Sequence, residues 1–227
     1  MNRVMKVMGC MRGGVGRVCV YAGSGAVLAR DVDRALDKLG IPHLDIDEGS
    51  IRRGILQEHC RVLIVPGGYT AAYVPALGVE GLNNVREFVA GGGAYIGICA
   101  GAYIAARRVE VPGRPEGLGI IDIANTRRRG MGIIEITVTK PRHPIAKGCP
   151  KRMRIWYQNG PYIEPGRGVE VIARYDEKYA AVACSEYGDG RVVIFSPHPE
   201  GSLEHGVEPE KLGTIKLLEN AIKFGGG

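Results

Sequence analysis

The sequence predicts an α/β protein built on a doubly wound, mainly parallel sheet, with helices on both faces and an antiparallel β extension. Three observations carry this. Through residue 98, apolar runs with no polar alternation, such as RVCVYAG at 17–23 and RVLIV at 61–65, are separated by segments of helical period. Beyond residue 118 the runs shorten and become strand-like, among them GIIDIA, GIIEITVT, RMRIWY, VEVIARY, YAAVACSEY and RVVIF. The early strands end in glycine, at Gly23-Ser24-Gly25, Gly67-Gly68 and Gly97-Ile98-Cys99-Ala100-Gly101, where a sheet of this kind keeps its chemistry.

The elements follow in order. After the strand at 17–23, Leu28, Val32, Ala35, Leu36 and Leu39 form one stripe of a helix that Gly40 caps and Pro42 follows. A short strand at 43–47 precedes a brief helix that Ser50 can cap, and the strand at 61–65 ends in Pro66-Gly67-Gly68. Leu82, Val85 and Val89 mark a helix at 80–90, which a triple glycine separates from the strand at 94–98. Gly188-Asp189-Gly190 is a hairpin turn between the last two strands, and a final helix spans 209–224 with Leu212, Ile215, Leu218 and Ile222 on one side. Residues 1–16 carry four methionines and no periodicity, so they read as a poorly ordered leader to a single domain at 17–224.

Composition narrows the function. The 227 residues carry 30 basic and 24 acidic side chains, a net charge of +6. Arg52-Arg53, Arg107-Arg108 and Arg127-Arg128-Arg129 lie far apart, with no aromatic RNA-binding signature beside them, which argues for solvated surface and against nucleic acid. Eighteen uncharged residues at 89–106 raise the membrane question, but five are glycine, and the segment reads as a turn and a buried strand rather than a span. Cys10, Cys19, Cys60, Cys99, Cys149 and Cys184 form no CxxC pair and have no zinc-ligand spacing. No metal is expected. Without an apolar signal segment the expectation is a reducing cytoplasm and six free thiols.

Two motifs carry chemistry. Gly97-Ile98-Cys99-Ala100-Gly101-Ala102 follows a strand and opens a small-residue helix, the setting of a nucleophile elbow. A nucleophile on so sharp a turn strains the backbone and tolerates only glycine or alanine beside it, while the helix N-terminus favours a thiolate. Ser196-Pro197-His198-Pro199-Glu200 follows the last strand. Its prolines hold a histidine and a carboxylate rigidly, a base with its orienter, lacking only a nucleophile from elsewhere.

GICAGAY after a triple glycine, VPGG after the third strand and HPE near the C-terminus resemble the class I glutamine amidotransferase superfamily, whose fold is flavodoxin-like. Within it the chain looks like stand-alone relatives of the biotin-protein ligase N-terminal domain, through Tyr21-Ala22-Gly23-Ser24-Gly25 and Trp156-Tyr157-Gln158-Asn159-Gly160-Pro161. The resemblance implies Cys99 as nucleophile, His198 as base and Glu200 as its orienter. It also implies an oxyanion hole from the Ala100 amide with Gly67 and Gly68, and a substrate pocket touching Ser24, Tyr103 and Asn159. The substrate implied is a small-molecule or peptide amide, with a separate synthetase or ligase subunit as partner and no cofactor. Working glutaminases of the superfamily carry glutamine where this chain has Tyr103, which predicts that it is not a free-standing glutaminase. Gly23-Ser24-Gly25 lacks the third glycine of a dinucleotide fingerprint, so NAD is discounted. Two readings stay open: a cysteine hydrolase or amidotransferase, and a catalytically idle binding or regulatory domain that keeps the pocket.

Overall fold

The computed structural model of the protein describes residues 17–110, 112, 113, 115–127 and 129–227. The expected leader at 1–16, with Cys10, lies outside the described residues.

The parallel half is built as the apolar runs require. Strands β1 (Val18–Tyr21), β2 (His43–Ile46), β3 (Val62–Val65) and β4 (Ala94–Ile98) alternate with helices α1 (Ala29–Lys38), α2 (Glu48–Arg52), α3 (Ile55–His59) and α4 (Thr70–Ala90). All residues of β1, β3 and β4 are buried, because both sheet faces are covered. Val18 and Val20 point into a core shared with Val32 and Leu36 of α1, whereas Cys19 and Tyr21 point into the opposite core with Ile51 of α2 and Tyr73 of α4. The period of two along each strand therefore feeds two separate cores.

After α5 (Ala100–Ala105) the chain is mostly β: β5 (Ala106–Val109), β6 (Ile121–Arg127), β7 (Met131–Val138), β8 (Arg152–Gln158), β9 (Pro161–Pro165), β10 (Glu170–Arg174), β11 (Ala180–Tyr187) and β12 (Gly190–Phe195). The main path of the sheet runs β2-β1-β3-β4-β12-β11-β10-β7-β8. Neighbours from β2 to β12 are parallel, and those from β12 to β8 antiparallel. The antiparallel part curls back, since Trp156 of β8, at the far end of the path, forms a bridge with His198 just beyond β12. This curl sets a distant edge of the sheet over the centre.

Four local expectations change. Ser50 is not the cap of α2; its amide donates to the side chain of Asp47, which is. The helix expected at 80–90 begins at Thr70 and bends at Gly78, whose φ of 62° belongs to the left-handed region. The final helix is two, α6 (Pro209–Leu212) and α7 (Ile215–Gly226), parted by left-handed Gly213. The short strands β5 and β9 lie in stretches that gave no distinct strand signal. Among the described residues, no helix is long and apolar enough to cross a membrane.

The thiols also differ from expectation. Cys19 in β1 and Cys60 after α3 form a disulfide across 41 positions of sequence, with Cα atoms 5.9 Å apart, and Cys99, Cys149 and Cys184 are free. The spacing hid the pair because parallel pairing of β1 with β3, and not proximity in sequence, brings the two together. Closing a loop of this length constrains the unfolded chain by about 4 kcal/mol on the chain-entropy account. Urea unfolding with and without reductant should therefore give a markedly lower midpoint for the reduced protein and no such difference for Cys60→Ser. Equal midpoints with and without reductant would show that the bond does not stabilise the fold.

Candidate active site

Cys99 sits between the end of β4 and the first residue of α5 with φ 50° and ψ −100°. A non-glycine residue held there stores about 1–3 kcal/mol of backbone strain. The surroundings enforce it. The Cys99 amide donates to Phe195 O of β12 at 2.8 Å, and the Cys99 carbonyl accepts from the Tyr103 amide at 3.0 Å. A β-carbon at Gly101 would lie 2.1 Å from Val65 O, and one at Gly97 would lie 2.6 Å from Gly101 O. Both positions are therefore restricted to glycine by contact with backbone, as the elbow reading requires.

His198 and Glu200 follow β12, the parallel neighbour of β4, so thiol and imidazole come from adjacent strand ends. The His198 amide donates to Trp156 O at 2.8 Å, which fixes the loop. His198 Nδ1 lies 2.8 Å from Glu200 Oε1, and both side chains are fully buried. Since the carboxylate is the acceptor, Nδ1 donates and Nε2 faces the cysteine side. Burial disfavours the imidazolium, but the Glu200 charge and hydrogen bonds to Cys99 and Glu200 outweigh it and hold His198 well above the usual histidine range.

The carbonyl of Gln158, at the end of β8, covers this pair. Cys99 Sγ donates to it at 3.5 Å, and His198 Nε2 lies 3.5 Å from the same oxygen. With Cys99 only 8% exposed and His198 sealed, the thiol and imidazole converge on one point that a backbone oxygen now occupies. The turn after Gln158 is anchored. Asn159 adopts a left-handed φ of 53°, its amide donates to Gly130 O at 2.9 Å, and its Oδ1 accepts from the Gly130 amide at 3.1 Å.

The remaining expected residues divide. Gly67 packs against the centre: a β-carbon there would lie 2.9 Å from His198 Cε1 and 3.5 Å from Cys99 Cβ. At Gly68 it would lie 1.9 Å from Gly25 O, and Tyr73 Oη donates to the carbonyls of Pro66 and Gly67, so this loop is held tightly. Ala100 opens α5, where first-turn amides have no acceptor within the helix. Tyr103 is buried, with its carbonyl near Asn125 Nδ2. Ser24 and Asn159 have other partners: Ser24 donates to Glu48 Oε1 at 2.6 Å, and Asn159 holds Gly130. Sequence reasoning missed Gln158, which contributes a backbone carbonyl and so leaves no side-chain signal. It also missed Asp31, a buried carboxylate of α1 that accepts from the Leu203 amide and acts on Glu200.

Comparison with known proteins identifies the family and the fold. The profile of the family described as "Biotin-protein ligase, N terminal" matches residues 17–122. The pyridoxal 5'-phosphate synthase subunit PdxT of Koribacter versatilis is 31% identical over 176 residues, which are 77% of this chain and 86% of that protein. The biotin–protein ligase of Schizosaccharomyces pombe is 26% identical over 184 residues, 70% of this chain but only 28% of the ligase. Among solved structures, a glutamine amidotransferase superposes with a TM-score of 0.60 at 25% identity, covering 92% of this chain and 99% of its own. PurLQS from Thermotoga maritima, at 18% identity and a TM-score of 0.65, shares the fold over 93% of this chain and 99% of its own. The chain belongs to the class I glutamine amidotransferase-like family that includes PdxT, and it is related to the N-terminal domain of biotin-protein ligases.

Proposed function

We propose that the protein is a cysteine-dependent amide hydrolase or amidotransferase subunit in which Cys99, His198 and Glu200 act as a triad. The observation that carries this is the convergence of Cys99 Sγ and His198 Nε2 on a single oxygen, each at 3.5 Å, with Glu200 behind the imidazole at 2.8 Å. A substrate carbonyl in place of the Gln158 oxygen would meet nucleophile and base together. The imidazolium that Glu200 holds favours the Cys99 thiolate, and in the first step a bond forms between that sulfur and the carbonyl carbon. The oxyanion is held by the Ala100 amide with one from Gly67-Gly68. The carbon–nitrogen bond then breaks, and the nitrogen leaves with the proton from His198. Water attacks the thioester with His198 as base, releasing the acid and the thiol. Glu200 keeps the imidazole in the tautomer that this exchange needs.

We further propose a small-molecule or peptide amide as substrate and a separate synthetase or ligase subunit as partner. The partner reading is supported by PdxT, itself described as a synthase subunit. Two features support low activity of the isolated chain: Tyr103 in place of the glutamine of working glutaminases, and the Gln158 carbonyl over the thiol. A partner that shifts the 158–160 turn would open the site.

Ammonia release from glutamine should therefore be negligible for the isolated chain, matching a Cys99→Ala control. Robust turnover that depends on Cys99 without any partner would contradict the closed-site reading. A second expectation concerns pH. Because His198 is raised in the folded state, its charge contributes stability that is fully present below the unfolded histidine value near 6.5 and is lost as pH rises through the higher folded value. Denaturation midpoints should fall from pH 6 toward alkaline pH in the wild type and fall less in Glu200→Gln. Parallel pH profiles would remove Glu200 from its role.

A further inference from the structure

Away from the triad, three ligand-type side chains meet at the outer edge of the sheet. His43 and Asp45 are two apart on edge strand β2 and so share a face, opposite to Ile46. That face is the one α1 covers, and α1 supplies Asp33. One ligand atom from each of Asp33, His43 and Asp45 lies within 4.8 Å of the other two. In sheet order β2 lies three strands from β4, roughly 14 Å at strand spacing, so this cluster is separate from Cys99.

The imidazole is oriented as a ligand would be. His43 Nδ1 lies 3.1 Å from Ile41 O, and a carbonyl only accepts, so Nδ1 donates and Nε2 is turned toward the carboxylates. A backbone carbonyl on the far ring nitrogen is the usual support of a metal-bound histidine. Nε2 lies 3.7 Å from Asp33 Oδ1, a solvent-shielded oxygen that accepts no hydrogen bond. Asp45 is exposed, which leaves room for water in the remaining coordination positions. One imidazole with two carboxylates suits a divalent transition ion better than calcium or magnesium, which prefer oxygen alone.

We propose that Asp33, His43 and Asp45 form a binding site for a divalent transition-metal ion, with water completing its shell. The ion would tie α1 to the sheet edge. The start of the same helix supports the catalytic loops, since the Leu28 amide donates to Gly67 O and Asp31 accepts from the Leu203 amide.

Mn²⁺ is a suitable probe, because it avoids thiols and broadens nearby nuclear resonances. Titrated into full-length protein labelled at its five histidines, it should broaden the His43 ring signals ahead of those of His59, His143, His198 and His205. Asp45→Asn, an exposed substitution, should weaken this by about tenfold or more while the His143 and His198 shifts report an intact fold. An unbroadened His43 in excess Mn²⁺, earlier broadening at His59 or His205, or an unchanged midpoint in Asp45→Asn would each overturn the proposal, leaving a proton-sharing cluster only.

Discussion

A β-carbon at position 101 would sit 2.1 Å from the Val65 carbonyl oxygen, and one at position 68 would sit 1.9 Å from that of Gly25. β3, β4, α5 and the loop after β1 therefore meet backbone against backbone at the carboxyl ends of the parallel strands. That contact fixes where Cys99 stands and keeps its φ at 50°. It continues across the sheet, where a β-carbon at Gly160 would lie 2.0 Å from Ser196 O. The turn after β8 is thereby packed against the start of the segment that carries His198, and Gln158 reaches the thiol. Glycine at positions 68, 101 and 160 is the chemical signature of this arrangement, because no other residue permits such approaches.

Within that frame the His198–Glu200 pair is costly to bury. Removing one partner from a buried pair costs about 3–5 kcal/mol, yet apolar replacement of both is often neutral, so stability alone gives no reason to keep a charge there. The position of the pair gives one: its Nε2 faces the side of Cys99, the free cysteine on the strained turn. Trp156 adds a second support, since its carbonyl accepts from the His198 amide while its ring packs against His205 at 4.8 Å. The curled antiparallel half thus acts as the wall and roof of a centre that the parallel half supplies.

Much of this was legible because short-range chemistry dictates it. Doubly buried strands such as 62–65 read as unbroken apolar runs, and the elbow and the His-Pro-Glu segment carry their spacing within a few residues. Features built from distant pairings left no such trace. Cys19 meets Cys60 only through strand order, Gln158 acts through its main chain, and Asp31 looks like any acidic residue in a first helical turn. Ser24 and Asn159, which motif matching places near a substrate, are engaged with Glu48 and Gly130, because hydroxyl and amide side chains beside a turn satisfy local backbone and carboxylate groups first. Gly78 and Gly213 break helices that periodicity alone runs together or shortens, since an apolar stripe does not register a single left-handed residue.

The central claim is that His198, oriented by Glu200, activates Cys99. Burial pushes the Cys184 thiol up to about 12 and raises that of Cys149, so neither should react readily at neutral pH. Iodoacetamide labelling at pH 7, followed residue by residue by mass spectrometry, tests the claim directly. Cys99 should be alkylated in the wild type as the 158–160 turn opens, and its labelling should slow markedly in His198→Asn while that of Cys149 stays the same. Labelling of Cys99 that is unchanged by the loss of His198 would contradict it.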